Sequence, residues 1–328
     1  MFEREAGMIS RRNVLIGAAT AAVACTTRAV SVFAAASQPK TPVAWDVPPG
    51  ASDCHIHVFG DPSRFPFALG RTYTPESASV QELRALHRVL HTSRVVVVQP
   101  SVYGTNNACT LDALRQLGSS ARGVAVIDDN TSESALDEMT RAGVRGIRLN
   151  LQTSVVTDPA IARRRLESAV ARVKGRNWHV QVFTNVSVID GIKDLVMASP
   201  VPVVFDHFGG AQASLGVAQA GFPALLNLVR SGKAYVKMSA PYQASTQAPD
   251  YPDVAPLAQA LVAANPKCLL WATNWPHPDA ASGRPVTEIS PLRKVDDGRV
   301  FNQFQVWVRD PAERRMILVE NPARLYGF

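Results

Sequence analysis

Short apolar runs alternate with longer amphipathic stretches along most of the chain. Eight of these runs are rich in β-branched residues and have the length of buried strands. Continuous apolar strands separated by amphipathic helices are typical of a parallel sheet that is covered by helices on its outer face. The predicted strands are Ala51–Val58, Arg94–Gln99, Gly123–Ile127, Val144–Asn150, His179–Thr184, Pro202–Asp206, Ala234–Met238 and Leu269–Thr273.

Helical periodicity fills the intervals between these strands and continues beyond the last one. Eight strand units within about 250 residues predict a closed (β/α)8 TIM barrel that forms a single domain. A doubly wound open sheet is the alternative, but no G-x-G-x-x-G follows the first strand, so its usual nucleotide site has no support. After the loop Pro278–Arg299 come two closing helices, the last with an N-cap at Asp310 and Pro311 in its first turn. The other predicted helices are Ser79–Leu90, Ser132–Ala142, Asp158–Val173, Phe222–Arg230 and Pro256–Ala264.

Composition and charge exclude some classes of function. The 328 residues are 46% hydrophobic, which is enough to bury a large core. Four arginines and two glutamates of residues 1–36 account for +2 of the formal charge of +7. Beyond them no basic run is interleaved with aromatic residues, and Arg163–Arg165 lie in a helical stretch, where a solvated face is expected. Nucleic-acid binding is therefore not expected.

The first 36 residues have the pattern of an export signal. Arg11 and Arg12 precede a short Ala-rich apolar stretch, and Phe33–Ala36 provide small residues suited to a signal peptidase. This segment resembles a twin-arginine signal. Because Val14–Cys25 is too short to cross a bilayer, no transmembrane segment is expected. We predict removal of residues 1–36 and a periplasmic or secreted barrel of residues 37–328.

The cysteines and two helical histidines have simple interpretations. Cys54, Cys109 and Cys268 remain after loss of the signal and form no C-x-x-C pair. Buried thiols are therefore expected rather than a disulfide framework or a three-cysteine zinc site. His87 and His91, at i and i+4 among arginines, are expected at the surface.

Polar residues gather at the predicted carboxyl ends of the strands, where barrel enzymes place their active sites. His55 and His57 close the first strand, and strand alternation places them on one face, with Cys54 and Ile56 on the other. Two imidazoles can then converge on one metal ion or one carbonyl oxygen. Other strand ends contribute Arg148, His207 and Asn274. This shared rim favours a site over two isolated, hydrogen-bonded histidines.

The ordered motifs of the chain resemble the amidohydrolase superfamily, and within it the branch of 2-pyrone-4,6-dicarboxylate hydrolase and related lactonases. The resemblance spans nearly all of the chain after residue 36, and it implies a distorted (β/α)8 barrel. The motifs that carry it are D-C-H-I-H-V-F-G, Q-P-S-V-Y-G-T-N-N, G-I-R-L-N, F-D-H-F-G-G, V-K-M-S-A-P-Y, W-A-T-N-W-P-H-P and N-P-A-R-L-Y-G-F.

The resemblance implies a role for each matching residue. His55, His57 and His207 would polarise the scissile carbonyl without a metal, as donors to the developing oxyanion. Arg148 would grip a substrate carboxylate. Asn274 stands where the family has the aspartate that deprotonates the attacking water. Tyr73 and Ser101 match further substrate-contacting positions.

Three departures from the family pattern bear on cofactor, substrate and rate. Gln181–Thr184 contain no histidine where zinc-dependent relatives place a ligand, so no cofactor is expected; zinc, if bound, would be held by His55, His57 and His207. Ser154 and Tyr242 lie at or near the positions of two further arginines of the dicarboxylate hydrolases, which favours a less charged lactone. Asn274 implies a slow enzyme, a substrate-trapping variant, or a base elsewhere, with Asp53, Asp206 and Asp279 as candidates.

The leading hypothesis is hydrolysis of a lactone ring in a small-molecule substrate that carries an acidic group. The family also suggests catabolism of aromatic or sugar-acid ring compounds. Three alternatives stay open: a sugar-acid lactone isomerase, a zinc-dependent hydrolase or decarboxylase, and a ligand-binding barrel without turnover. The sequence carries no sign of an oligomeric state.

Overall fold

A computed structural model describes residues 36–280 and 283–328. Eight parallel strands form one sheet in chain order, with helices between them, so the prediction of a (β/α)8 barrel is confirmed. The strands are β1 (Ser52–Ile56), β2 (Arg94–Val98), β3 (Ala121–Ala125), β4 (Val144–Asn150), β5 (His179–Phe183), β6 (Val203–Phe205), β7 (Ala234–Ser239) and β8 (Leu269–Ala272).

The barrel closes between β1 and β8 through the residues at their carboxyl ends. The amide of Asn274 donates to the carbonyl of His55 at 2.9 Å, and the amide of His57 donates to the carbonyl of Trp275 at 2.8 Å. Below them the Asp53 carboxylate accepts from the Thr273 amide at 3.0 Å and from its hydroxyl at 2.6 Å. The seam therefore joins His55 and His57 directly to the segment that contains position 274.

The helices begin and end close to the predicted residues. Ser79 caps α1 in a complete capping box with Glu82, and Asp158 caps α4 ahead of a proline in its first turn. The helices are α1 (Val80–Leu90), α2 (Ala108–Leu117), α3 (Glu133–Arg141), α4 (Pro159–Val173), α5 (Val186–Ala198), α6 (Phe222–Arg230), α7 (Pro241–Ala244), α8 (Ala255–Ala264), α9 (Asp297–Trp307), α10 (Pro311–Arg315) and α11 (Asn321–Tyr326). The last predicted helix is α10 and α11 joined by the π-helical turn Met316–Glu320.

The third strand begins two residues earlier than predicted. Arg122, outside the predicted strand, lies within β3. Its guanidinium reaches the carbonyl oxygens of Tyr326 and Gly327 at the amino-terminal end of the barrel. A long side chain can thus lie in a buried strand while its charged end finds acceptors at the barrel floor.

Side chains of each strand divide between the barrel interior and the outer layer. Val95 and Val97 of β2 pack in the large core with the helices, whereas Val96 and Val98 join a small interior cluster. In β1 the pairing register shifts between Asp53 and Ile56. Cys54 belongs to the interior cluster and Ile56 to the outer core, so the prediction that they share a face is wrong. A bulge breaks strict alternation and lets consecutive side chains face inward.

The structure also tests the simpler expectations. Cys54, Cys109 and Cys268 are free and buried, as expected. His87, in contrast, is buried on the inner face of α1 with its Nε2 3.4 Å from Asp53 Oδ2, so the expectation of a surface position is wrong for it. His91 is exposed at the end of α1. No helix in the described part of the chain is long and apolar enough to cross a membrane. The predicted export signal lies outside the described residues, apart from Ala36.

Candidate active site

A cavity of about 560 Å³ opens at the carboxyl ends of the strands. Seven residues predicted for the site line it: Arg148 of β4, five residues that follow β1, β2, β6, β7 and β8 (His57, Ser101, His207, Tyr242 and Asn274), and Tyr73 of the segment between β1 and α1. His55, the eighth, is fully buried against them, with its Nε2 3.4 Å from His57 Nε2. The residues that the motifs singled out are therefore brought together in space.

His57 presents an acceptor rather than a donor to the cavity. Its Nδ1 lies 2.8 Å from the carbonyl oxygen of Val98, which can only accept, so this nitrogen carries the proton in the neutral ring. Burial, with the nearby charge of Arg148, lowers the pKa of His57 to about 3 and favours the neutral form. Its Nε2 then carries a lone pair, which differs from the expected role as a hydrogen-bond donor.

His207 is held by a tight turn after β6. The residue has φ of 48°, and its Nδ1 lies 2.8 Å from the Ser239 hydroxyl. A Cβ added at Gly210 in this turn would lie 2.2 Å from the carbonyl oxygen of Thr184, so only glycine fits. Burial lowers the pKa of His207 to about 3, and the ring is neutral. The F-D-H-F-G-G motif thus encodes a backbone shape as well as a functional side chain.

A buried carboxylate, Asp206, joins four polar side chains inside the barrel. Its Oδ1 lies 3.1 Å from His55 Nδ1 and 3.4 Å from Lys237 Nζ, and its Oδ2 accepts from Arg148 Nε and Gln181 Nε2 at 3.0 Å each. Lys237 donates to Gln181 Oε1 at 2.6 Å and approaches His55 Nδ1 at 3.3 Å. We call these five residues the Asp206 cluster. Each member of it is buried.

Charge balance explains the protonation of the Asp206 cluster. Burial opposes ionisation of Asp206, but His55, Lys237 and Arg148 hold its pKa well below the usual range. Burial lowers the pKa of Lys237 to about 8, and Asp206 partly offsets that shift. Burial also lowers the pKa of His55 well below its usual value. His55 Nδ1 lies 3.1 Å from Oδ1 of the ionised Asp206, which can only accept, so the hydrogen of the neutral ring lies on Nδ1 and the Nε2 atoms of His55 and His57 both carry lone pairs.

Asn274 begins a second series of hydrogen-bonded side chains, on the opposite wall of the cavity. It has φ of 65°, a conformation that asparagine and aspartate adopt more readily than most residues. Its Nδ2 donates to the Tyr242 hydroxyl at 2.8 Å, which lies 3.3 Å from His277 Nδ1. His277 Nε2 in turn lies 3.0 Å from Asp297 Oδ2. Asn274 Oδ1 is buried and has no hydrogen-bond partner among the described residues.

The three carboxylates considered as substitute bases differ in position. Asp53 is engaged at the seam by Thr273 and His87, and Asp206 is engaged by its cluster. Asp279 lines the cavity and accepts from Arg293 at 2.9 Å. Each of these carboxylates already has a cationic or hydrogen-bonding partner.

A divalent metal has suitable nitrogen donors here but an unfavourable charge environment. The 3.4 Å between His55 Nε2 and His57 Nε2 suits two ligands of one zinc ion, and ligand atoms of His55, Asp206 and His207 lie within 4.8 Å of one another. However, Arg148 and Lys237 already exceed the single charge of Asp206, and position 274 supplies an amide. A metal would add two positive charges to a buried cluster that already carries excess positive charge, which is unfavourable.

Two arginines meet at the cavity, although the motifs predicted one. Arg148 is fixed by Asp206, and its guanidinium lies 4.7 Å from the centre of the Phe183 ring. Arg293, from the loop after β8, lines the cavity and stacks on Tyr242 at 5.6 Å. Ser154, for which the resemblance implied an arginine in the dicarboxylate hydrolases, is exposed. A second guanidinium is therefore present, supplied from a different element and paired with Asp279.

Several residues of the site escaped sequence reasoning. Lys237 and His277 stand in recognised motifs, and a lysine inside the apolar run of β7 was a usable signal. Gln181 appeared only as a missing histidine. Asp297 and Arg293 lie in a polar stretch without periodicity, and no local pattern marks them.

Comparison with known proteins agrees with this geometry. The profile of a family described as Amidohydrolase matches residues 52–328. The chain belongs to the amidohydrolase family. It is 34% identical over 290 residues to 2-pyrone-4,6-dicarboxylate hydrolase of Comamonas testosteroni, covering 85% of this chain and 91% of that protein. It is 32% identical over 286 residues to 4-sulfomuconolactone hydrolase of Rhizobium radiobacter, and this match covers 87% of this chain and 93% of that protein.

Solved structures show the same relationship. The crystal structure of a putative 2-pyrone-4,6-dicarboxylic acid hydrolase from Pseudomonas putida superposes with a TM-score of 0.70 at 30% identity. The match covers 85% of this chain and 98% of that one. The resemblance stated from the motifs is thereby confirmed for an amidohydrolase barrel.

The Asp206 cluster leads to a test of stability. We expect Asp206→Asn to lower the free energy of unfolding by about 3 to 5 kcal/mol, because Lys237 and Arg148 stay buried without a counter-charge. Adding Lys237→Met should recover part of this loss, with a coupling of about 1 to 3 kcal/mol in a double-mutant cycle. Urea denaturation monitored by tryptophan fluorescence gives the four free energies.

The exposed pair Asp190 and Lys193, 2.8 Å apart, provides the control. The same two substitutions there should have additive effects, since solvent screens the charges. Additive losses at Asp206 and Lys237 as well would contradict the proposed charge balance.

Proposed function

We propose that this protein hydrolyses the ester bond of a lactone ring that carries an acidic group. The observation that carries the proposal is the position of the Asp206 cluster directly beneath a cavity lined by His57, His207 and Asn274. Buried positive charge next to neutral imidazoles suits the oxyanion of a tetrahedral intermediate. Lactone hydrolysis by two relatives of more than 30% identity supports the same chemistry.

In this mechanism Arg148 binds the acidic group of the substrate and orients the ring. The guanidinium is already held in place by Asp206, so little order is lost on binding. Arg293 at the rim offers a second positive charge and allows a second acidic substituent, beyond the less charged lactone that the motifs favoured. Tyr73 and Ser101 line the same cavity and supply hydroxyl groups for the remaining polar atoms.

The hydrolytic step needs an electrophile and an oriented water. His207, with its Nδ1 accepting from Ser239, donates from Nε2 to the lactone carbonyl oxygen. Water adds to the carbonyl carbon, and the ester C–O bond then breaks to open the ring. Asn274 Oδ1, a buried acceptor, is suited to hold one hydrogen of that water. We place this activity in the breakdown of aromatic or sugar-acid ring compounds.

The role of His207 is tested by substitution. We expect His207→Asn to lower kcat/KM about 10²- to 10³-fold, because the carbonyl loses a preorganised donor. His91→Asn is the matched control, since His91 is exposed and has φ of 55°, which asparagine tolerates. Initial rates on a panel of pyrone, muconolactone and sugar lactones give the comparison.

Product analysis by NMR separates the alternatives in the same assay. Ring-opened acid identifies hydrolysis, whereas a lactone with a migrated ring identifies isomerisation. Saturable binding by calorimetry without any turnover would indicate a ligand-binding barrel instead. Unchanged turnover in the His207 variant would contradict the mechanism.

Metal dependence is tested with the purified native enzyme. If zinc were bound, His55, His57 and His207 would hold it, and it would polarise the lactone carbonyl as a Lewis acid. Because the cluster already carries excess positive charge, we propose that hydrolysis proceeds without it. We expect dialysis against a strong chelator to leave kcat unchanged and elemental analysis to find far less than one zinc per chain. Loss of activity that added zinc restores would refute this.

We also propose that the protein is exported through a twin-arginine pathway and functions in the periplasm or outside the cell. The support is the Arg11–Arg12 pair with its Ala-rich apolar stretch and the small residues ending at Ala36. Fractionation of cells that produce the full chain should find the processed protein outside the cytoplasm, beginning at Ser37. Changing both arginines to lysine should retain the precursor in the cytoplasm. Equal export of the lysine variant would contradict the proposal.

A further inference from the structure

We propose that Tyr242, His277 and Asp297 form a proton relay that accepts the proton of the attacking water. This inference rests on the proposed lactone hydrolysis and identifies the base that its hydrolytic step requires. Position 274 holds an amide, which cannot take a proton at neutral pH. The relay begins at the side chain that Asn274 contacts, so the proton acceptor is displaced from position 274 by one hydrogen bond.

The hydrogen bonds of the relay have one consistent direction. Asn274 Nδ2 carries only hydrogens, so Tyr242 Oη accepts from it at 2.8 Å. The hydroxyl hydrogen of Tyr242 is then directed to His277 Nδ1 at 3.3 Å. His277 carries its own hydrogen on Nε2, 3.0 Å from Asp297 Oδ2. A carboxylate therefore fixes the tautomer of an imidazole whose other nitrogen faces a hydroxyl, as in hydrolytic triads.

The surroundings keep the relay in place. His277 is fully buried and has φ of 64°; its amide donates to the carbonyl of Asn274 at 2.9 Å, and its carbonyl accepts from the amide of Arg293 at 3.0 Å. Burial raises the pKa of Asp297, whereas its pairing with His277 and its place in the first turn of α9, where the helix dipole favours a negative charge, oppose that shift. These contacts hold a carboxylate–imidazole pair in a position where the imidazolium can form.

The side-chain oxygen of Asn274 provides the remaining hydrogen-bond acceptor of the site. Asn274 Oδ1 is buried, has no hydrogen-bond partner in residues 36–280 and 283–328, and belongs to a residue that lines the cavity. A water that donates one hydrogen to this oxygen can direct its other hydrogen to Tyr242 Oη, which has a second acceptor site. The amide thus orients the nucleophile, while the neighbouring hydroxyl receives its proton.

The proton and electron balance of the step is complete. The water oxygen forms its bond to the carbonyl carbon as one of its O–H bonds breaks, and that proton moves to Tyr242 Oη. The original hydroxyl proton of Tyr242 moves to His277 Nδ1, and the imidazolium stays bonded to Asp297. When the ester C–O bond breaks, the proton returns along the same path to the leaving ring oxygen.

Two other acceptors compete with the relay. His57 Nε2 has a lone pair at the cavity, but Arg148 lies close to this ring and opposes its protonation. Asp279 reaches the cavity but is paired with Arg293. His55 is also paired with a carboxylate, Asp206, but it is fully buried and does not line the cavity. The relay reaches the cavity through Tyr242 and ends in an imidazole whose partner is Asp297, so it accepts a proton with little charge separation.

The test uses four proteins: the native chain, Tyr242→Phe, Asn274→Asp, and the two substitutions combined. Assays contain a chelator and the lactone that the native chain opens fastest. We expect Tyr242→Phe to lower kcat about 10²- to 10⁴-fold, the range for loss of a general base, with KM changed less than about threefold. Adding Asn274→Asp to the Tyr242→Phe protein should restore most of the lost rate, because a carboxylate then takes the proton directly.

Tyr235→Phe is the matched control, since this hydroxyl lies on β7 at hydrogen-bond distance from Arg324. Its kcat should stay unchanged. His277→Asn, which the left-handed backbone tolerates, is a second variant that breaks the relay while Tyr242 stays unsubstituted. It should lower kcat in the same way. Rescue of His277→Asn by Asn274→Asp is also expected.

Each result has a defined meaning. A Tyr242→Phe or His277→Asn enzyme with native kcat overturns the relay and leaves lactone hydrolysis standing, with His57 or Asp279 as the base. Loss of activity without rescue by Asn274→Asp also overturns the relay, because it indicates a structural role for these side chains. Failure of both the native and the Asn274→Asp proteins to open any lactone overturns the proposed function itself and the relay with it.

Discussion

The charge balance around Asp206 is the constraint on which the rest of the barrel interior depends. A lysine and an arginine lie inside a closed barrel, where an unpaired charge would cost several kcal/mol. A single carboxylate at the end of β6 lies within 3.4 Å of Lys237 and His55 and within 3.0 Å of Arg148. Its position thereby determines where the substrate-facing guanidinium and the first histidine can lie. The positive excess that remains is suited to an anionic intermediate, and it disfavours a divalent ion at the same histidines.

At position 274 the side chain at the barrel rim is an amide, which cannot accept a proton at neutral pH. The backbone at this position is left-handed, so asparagine and aspartate fit equally, and the seam with β1 is unaffected by the change from acid to amide. The hydrogen-bond partners of the amide nevertheless differ from those of a carboxylate. Asn274 Nδ2 donates to the Tyr242 hydroxyl, whereas a carboxylate has no hydrogen to donate. The side chains of Tyr242, His277 and Asp297 continue this hydrogen-bonded series away from Asn274.

The two arginines of the cavity come from rigid and variable parts of the fold. Arg148 projects from a central strand and is fixed by two neighbours, whereas Arg293 comes from the long loop after β8 and pairs with Asp279. Strand residues set the position of the reacting group, and loops of a barrel adjust what surrounds it.

The sequence by itself determined the barrel, most element boundaries and the set of rim residues. Buried parallel strands must be continuously apolar, and their carboxyl ends must meet at one rim, so His55, His57, Arg148, His207 and Asn274 could be placed together from local pattern alone. Only the tertiary structure decided the bulge at Cys54 and His55, the burial of His87, the tautomer of His57 and the partners of Lys237. It alone brought Asp297 and Arg293 to the cavity. These features depend on contacts between residues far apart in the chain, and the energy of a buried charge or hydrogen bond is set by partners that no local pattern encodes.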